Sequence, residues 1–176
     1  MTKKRLLSAL AALTVSLALL ASCSSKSDII PFEDLPSEYH YEQAIENGDY
    51  VILDDAVKTP EAAKEFYGNY EKGKSAFMRS VTYFTFEDGL HFIVRDFEYK
   101  DKKITVTQNN FQQVYGTSSI LINEYDYIRP VYFSGEQVGK PGMYYFATDL
   151  EEVTYENYIE GLAGEVIFID AEAVSN

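Results

Sequence analysis

An α+β fold, with a mostly antiparallel sheet of about five or more strands and one or two helices packed on one face, follows from three features of the sequence. A proline-led run with helical spacing begins at Thr59-Pro60-Glu61. Two long alternating segments, Ala76 to Glu87 and Leu90 to Lys100, flank Asp88-Gly89. A third alternating segment after Asp101-Lys102 carries the same apolar face onward. Consecutive strands without intervening helices point to a meander rather than a parallel α/β sheet.

Taken in order, the first helix is expected over Glu38 to Glu46, ended by Asn47-Gly48, where positive φ terminates a helix. A short strand, Tyr50 to Leu53, follows. Thr59 is placed to cap the second helix, with Pro60 at its first position and Glu61 in its first turn. That helix runs to about Lys72, with Gly73 past its end. Ala62, Ala63, Phe66, Tyr67 and Tyr70 recur at three- and four-residue steps and give it a buried face. In the hairpin, a two-residue Asp88-Gly89 loop of type I′ pairs Glu87 with Leu90. Counting outward sets Phe84 opposite Ile93, Phe86 opposite His91, Ser80 opposite Phe97 and Met78 opposite Tyr99 on the core face. The other face pairs Tyr83 with Val94, Val81 with Asp96, and Arg79 with Glu98 in a surface ion pair. The second turn brings Ile104 opposite Tyr99 and Val106 opposite Phe97. Ile120 to Ile122 and Tyr125 to Phe133 read as strands, the latter bent or at an edge because of Pro130. Gly135, Gly139, Pro141 and Gly142 make a loop before a strand over Met143 to Thr148. Asp149 is placed to cap a helix through about Ile159, and Glu165 to Asp170 closes the sheet.

The amino terminus has a different character. Lys3-Lys4-Arg5 precede an apolar stretch from Leu6 to Leu20, which ends in Leu20-Ala21-Ser22-Cys23. A membrane-spanning helix needs about 20 apolar residues, and this stretch is shorter and broken by Ser8, Thr14 and Ser16. The segment resembles a bacterial lipoprotein signal, with a basic start, an apolar centre and small residues before the cut. That resemblance implies a signal peptide over 1–22, cleavage before Cys23, and a diacylglyceryl group on its thiol. A lipidated tether over 23–37, small, polar and interrupted by Pro31 and Pro36, then leads to a single extracytoplasmic domain over 38–176. A coil of about 14 residues reaches roughly 20 Å, so the domain is expected at the outer face of the cell membrane. With Cys23, the only cysteine, given to lipid, disulfides and thiolate chemistry are closed.

Residues 1–22 hold three cations and no acid, so the formal charge moves from −13 for the whole chain to −16 after cleavage. Such an acidic domain lacks the positive footprint of a nucleic-acid binder and favours cationic partners. Ala44, Asn47-Gly48-Asp49, Val51, Phe66, Arg79, Thr85, Glu87 and Gly89 are similar to the pattern of an uncharacterised family of small lipoproteins and secreted proteins of Gram-positive bacteria. The segment from Thr107 through Asn110, Phe111, Tyr115 and Gly116 resembles its next block. The cysteine-bearing segment expected after that block is missing. The resemblance implies a cell with one membrane and supplies no reaction.

No catalytic residue, cofactor or metal ligand set is assigned. His40 and His91 are too few and too scattered for a histidine metal site. There is no G-x-S-x-G, P-loop, dinucleotide fingerprint or H-E-x-x-H. Adjacent acids such as Asp54-Asp55 and Glu151-Glu152 are unremarkable among 28. Asn47-Gly48-Asp49 reads as a ligand loop or as a helix end, the latter favoured. Fifteen tyrosines and eleven phenylalanines without a tryptophan suit strands, and Tyr125, Tyr127, Tyr132, Tyr144 and Tyr145 are candidates for one binding face. The expected function is a non-catalytic, lipid-anchored module of the cell envelope that binds an unknown protein or cell-wall partner. The alternatives are an inhibitor or immunity-like module against a basic enzyme or toxin, and a carboxylate-based cell-wall hydrolase.

Overall fold

The computed structural model describes residues 29–36, 38–87, 89–110 and 120–171. The chain divides into two units, Met1–Pro36 and Ser37–Asn176. The described part of the first carries a single 3-10 turn over Phe32–Asp34. Cys23 and the segment before it lie outside the described residues.

The second unit is α+β, built on two sheets. Its elements are α1 (Tyr41–Glu46), β1 (Tyr50–Leu53), β2 (Ala56–Val57), α2 (Pro60–Glu71), β3 (Ala76–Phe86), β4 (Gly89–Lys100), β5 (Lys103–Asn110), β6 (Ile120–Tyr125), β7 (Tyr127–Phe133), α3 (Gly135–Val138), β8 (Gly142–Thr148), α4 (Tyr155–Ile159) and β9 (Glu165–Asp170). Six strands form the larger sheet in the order β2-β1-β3-β4-β5-β6, and β7-β8-β9 form the smaller. Among the described residues only the β1–β3 pairing is parallel.

Helix α2 explains the juxtaposition of the sheets. Its Ala63 and Phe66 are buried with Met78, Phe97 and Val106 of the larger sheet and with Ile128, Ala147 and Phe168 of the smaller. Each buried aromatic or large aliphatic side chain there contributes about 1.5–3 kcal/mol. Helix α1 lies against the opposite face of the larger sheet, where Tyr41 meets the Tyr83 ring edge-on at 6.3 Å. A second core, around Phe133, Tyr144 and Phe146, fills the other face of the smaller sheet beneath α4. Gly164 marks the tightest approach: a Cβ there would stand 2.1 Å from the Ala147 carbonyl oxygen, and its φ is +89°.

Several expectations are corrected. The β3–β4 loop is 87–88, not Asp88-Gly89, because Phe86 pairs with Gly89 and Thr85 with Leu90. The whole register therefore moves by two residues. Faces are unchanged, since side chains alternate with period two, but partners change. Val81 meets Val94, Tyr83 meets Phe92, Met78 meets Phe97, and Arg79 meets Asp96 rather than Glu98. The β4–β5 register agrees with expectation, with Tyr99 opposite Ile104 and Phe97 opposite Val106, across a turn whose Asp101 and Lys102 both have positive φ.

Helix α1 begins at Tyr41 instead of Glu38 because its N-cap His40 is extended and Tyr39 before it is sunk into the core, 1% exposed. Thr59 does not cap α2 through its side chain. Its hydroxyl accepts from Val51 N at 2.8 Å and donates to Asp49 O at 2.6 Å, tying the helix start to β1. The expected loop over 135–142 contains α3, closed by a capping box between Ser134 and Gln137. Thr154, not Asp149, caps α4, since the chain between them bends at Glu151 and Glu152 and buries Val153 before the helix begins. Asp149 instead accepts the Asp126 amide at 3.1 Å.

Candidate functional site

Two groupings of polar and aromatic side chains stand out, one buried and one on the surface. The buried one grows from the end of α1. Gly48, at φ +81°, lets the chain reverse, and the Asp49 amide donates back to Ala44 O at 3.0 Å. The helix-end reading of Asn47-Gly48-Asp49 is therefore the observed geometry. The turn also aims the Asp49 carboxylate inward, where it is 8% exposed and accepts the Tyr39 hydroxyl at 2.6 Å. Asn47 Nδ2 donates to that same hydroxyl oxygen at 2.8 Å, and the Tyr83 hydroxyl donates to Tyr39 O at 2.7 Å.

Arg79 and Asp96 complete this cluster. Arg79 Nε and Nη2 donate to the two Asp96 carboxylate oxygens, each at 2.7 Å, a bidentate fork. Arg79 is 4% exposed and the Asp96 side chain 15%, so this is a largely enclosed pair, not the surface pair expected with Glu98. Burial pushes Asp49 up to about 6, against the opposing pull of the Tyr39 hydrogen bond and the Arg79 charge. Burial also raises Asp96, with Arg79 opposing. For Arg79, burial disfavours the charge, but the hydrogen bonds and charge of Asp96 outweigh it and hold the guanidinium ionised. Burial, then the Asp49 carboxylate, raise the Tyr39 hydroxyl as well. These groups are enclosed and mutually satisfied, so their chemistry is cohesion of α1 with the sheet.

The surface grouping involves the tyrosines, and the structure divides the five candidates. In β7 and β8, Tyr132 lies opposite Met143 and Pro130 opposite Tyr145, whereas Tyr144 lies opposite Val131 and Tyr127 opposite Thr148. Tyr132 and Tyr145 thus share the inner face of the smaller sheet, and Tyr127 and Tyr144 the outer. Tyr144 is buried and donates to Lys140 O at 2.9 Å. Tyr127 sits beneath the Arg129 guanidinium, 4.3 Å from ring centroid to Cζ. Tyr125 is bound to Glu165 at 3.0 Å, and burial followed by the Glu165 charge pushes its hydroxyl up to about 12.

The inner face gains a member that the sequence placed in the helix core. Tyr67 of α2 is only half-buried and meets the Tyr145 ring edge-on at 4.7 Å, while Tyr145 stacks on Phe168 at 4.0 Å. Burial, then the Glu71 charge, push the Tyr67 hydroxyl up to about 12. Burial, then Asp170 and Glu71, raise Tyr145. Tyr132 at the open end is 49% exposed. An exposed aromatic surface beside carboxylates results.

The remaining candidates are brought to no common place. Asp54 accepts from the Thr85 amide and hydroxyl at 3.3 Å, and Asp55 faces Lys140 at 3.7 Å. Both have positive φ, as a tight β1–β2 turn requires. Glu151 and Glu152 are exposed on the bend after β8, His40 is exposed at the start of α1, and His91 is half-buried in β4. Among the described residues no group of three or more His, Cys, Asp or Glu could hold a metal ion, and no helix is long and apolar enough to cross a membrane.

No family model, curated protein or solved structure matches the chain. Of the residues expected from the sequence to follow a small-lipoprotein pattern, Ala44, Asp49, Val51, Phe66 and Arg79 are buried. Asp49 and Arg79 belong to the polar cluster at the end of α1, and Phe66 to the core beneath α2.

Proposed function

We propose that this chain is a lipid-anchored, non-catalytic binding module on the outer face of a cell membrane. The observation that carries this reading is the run Leu20-Ala21-Ser22-Cys23 after an apolar stretch led by three cations. Cleavage before Cys23 and acylation of its thiol leave a domain of net charge −16, tethered within roughly 20 Å of the bilayer. Several acyl chains, at about 0.8 kcal/mol per buried methylene, hold such an anchor firmly. The tyrosine and carboxylate surface formed by Tyr67, Tyr132 and Tyr145 beside Glu71 supports the binding half of the proposal. Its chemistry is contact and charge.

The anchor is tested by feeding expressing cells an alkyne fatty acid and following label and membrane retention. Parent chain is expected to carry label and stay with membranes; Cys23→Ser is expected to lose both. Label on the Cys23→Ser chain would refute acylation at that thiol. The charge also favours a second reading, an inhibitor or immunity-like module for a basic enzyme. Its signature is an association rate that falls steeply as salt is raised.

A further inference from the structure

We propose that the open end of the inner face of the smaller sheet, formed by Tyr132, Met143 and Tyr145 with Tyr67 and Glu71 of α2, is a docking site for a lysine- or arginine-bearing peptide. The proposal rests on the binding-module reading and gives its site and ligand class.

Three observations carry it. The surface is aromatic and fixed: Tyr145 is held between Phe168, stacked at 4.0 Å, and Tyr67, edge-on at 4.7 Å. Tyr132 lies diagonally across the β7–β8 pair from Tyr145, within reach of an aromatic side chain, and remains 49% exposed. Phenol rings attract cations through their negative faces, Lys and Arg being the usual partners.

The rim is acidic. Glu71 stands one turn beyond Tyr67, close enough to raise both the Tyr67 and Tyr145 hydroxyls, and Asp170 acts on Tyr145 as well. Lys64, one turn before Tyr67 on the same helix, is a counter-charge, leaving carboxylates in excess. Together with the −16 of the cleaved chain, this complements a cationic ligand and disfavours an anionic one.

The backbone sets how the ligand is read. β7 is an edge strand, yet Pro130 at its centre has no amide hydrogen to donate. Strand addition along β7 is therefore disfavoured, and an incoming peptide at this end of the sheet is held by its side chains on the face.

The test titrates the mature chain, residues 23–176 with Cys23→Ser, with an octalysine peptide, an uncharged Gly-Ser octapeptide and a soluble cell-wall oligosaccharide, mapping contacts by NMR. Octalysine is expected to perturb Tyr67, Tyr132 and Tyr145, and the Gly-Ser peptide to leave them unmoved. Tyr132→Ala with Glu71→Gln, both at exposed positions, is expected to weaken octalysine binding about tenfold. Glu152→Gln, on the loop after β8, is expected to leave it within about twofold. Equal loss in the Glu152→Gln control, or shifts mapping elsewhere, would overturn the site and assign the binding to net charge. Oligosaccharide binding on this face without octalysine binding would overturn the ligand class and leave the binding-module reading standing. Failure of all three probes to bind would overturn the site and count against the module itself.

Discussion

Asp49 is the residue whose behaviour most directly reports how the domain is locked. Burial holds it near pH 6, above its ordinary 3.8, so between those values the folded chain keeps a proton that the unfolded chain releases. Its contribution to stability is therefore full below about pH 4 and lost as pH rises through about 6. Asp49→Asn keeps an acceptor for the Tyr39 hydroxyl without the titration. Relative to the parent, the variant is expected to gain on the order of 2 kcal/mol between pH 4 and 7, read by urea unfolding at several pH values. A constant difference across that range would refute the assignment. Arg79 acts oppositely, because it neutralises two buried acids. Arg79→Met leaves Asp96 enclosed without its fork and is expected to cost about 3–5 kcal/mol, partly restored by adding Asp96→Leu. A loss below about 1 kcal/mol, the scale of exposed pairs, would place the pair at the surface.

Among elements, the β3–β4 hairpin shows where sequence reading stops. Alternation correctly assigned each side chain to a face, but a register displaced by two residues keeps every face and so escapes that test. The partners hold the missing information: the expected register set Val81 against Asp96, whereas the observed one sets Val81 against Val94 and gives Asp96 to Arg79. Pairing quality, more than the Asp-Gly turn rule, identifies the true register. Helix α2 was legible because proline, periodicity and glycine agreed along its length. Strand β2, with two residues, and α3, with four, are too short to carry a period. The aromatic surface was half legible: Tyr132 and Tyr145 were singled out, yet alternation along β7 and β8 already separated them from Tyr127 and Tyr144. Tyr67 was hidden by its helical spacing, which marks a core residue and an edge residue alike. Strand β6 carries a different exposure, with Ile120, Leu121 and Ile122 each at least half accessible on the last strand of the larger sheet. Such an edge invites pairing between chains, and a lysine blunts it. Ile122→Lys is expected to reduce concentration-dependent light scattering while changing stability by no more than about 0.5 kcal/mol; unchanged scattering would clear β6 of that role.

At the scale of the whole molecule, the charge and the proposed anchor would make opposing demands that a tether over 23–37 would reconcile. Cleaved as proposed, a domain of net charge −16 would be repelled by anionic lipid, but the repulsion decays over about 8 Å at physiological ionic strength, well inside the roughly 20 Å that the proposed tether would reach. On the proposed reading the domain would be held near the membrane without lying on it, its acidic surface open to cationic partners in solution. Membrane attachment should accordingly depend on the acyl chains alone. Lipidated chain is expected to remain with phosphatidylserine-containing vesicles through a 1 M salt wash, because burial of hydrocarbon is indifferent to screening. Mature chain with Cys23→Ser is expected to stay in the supernatant at low salt, where any charge-borne association would be strongest. Sedimentation of that unlipidated chain at low salt, reversed by added salt, would mean that a local basic patch outweighs the net charge and would remove the electrostatic reason for placing the domain off the bilayer.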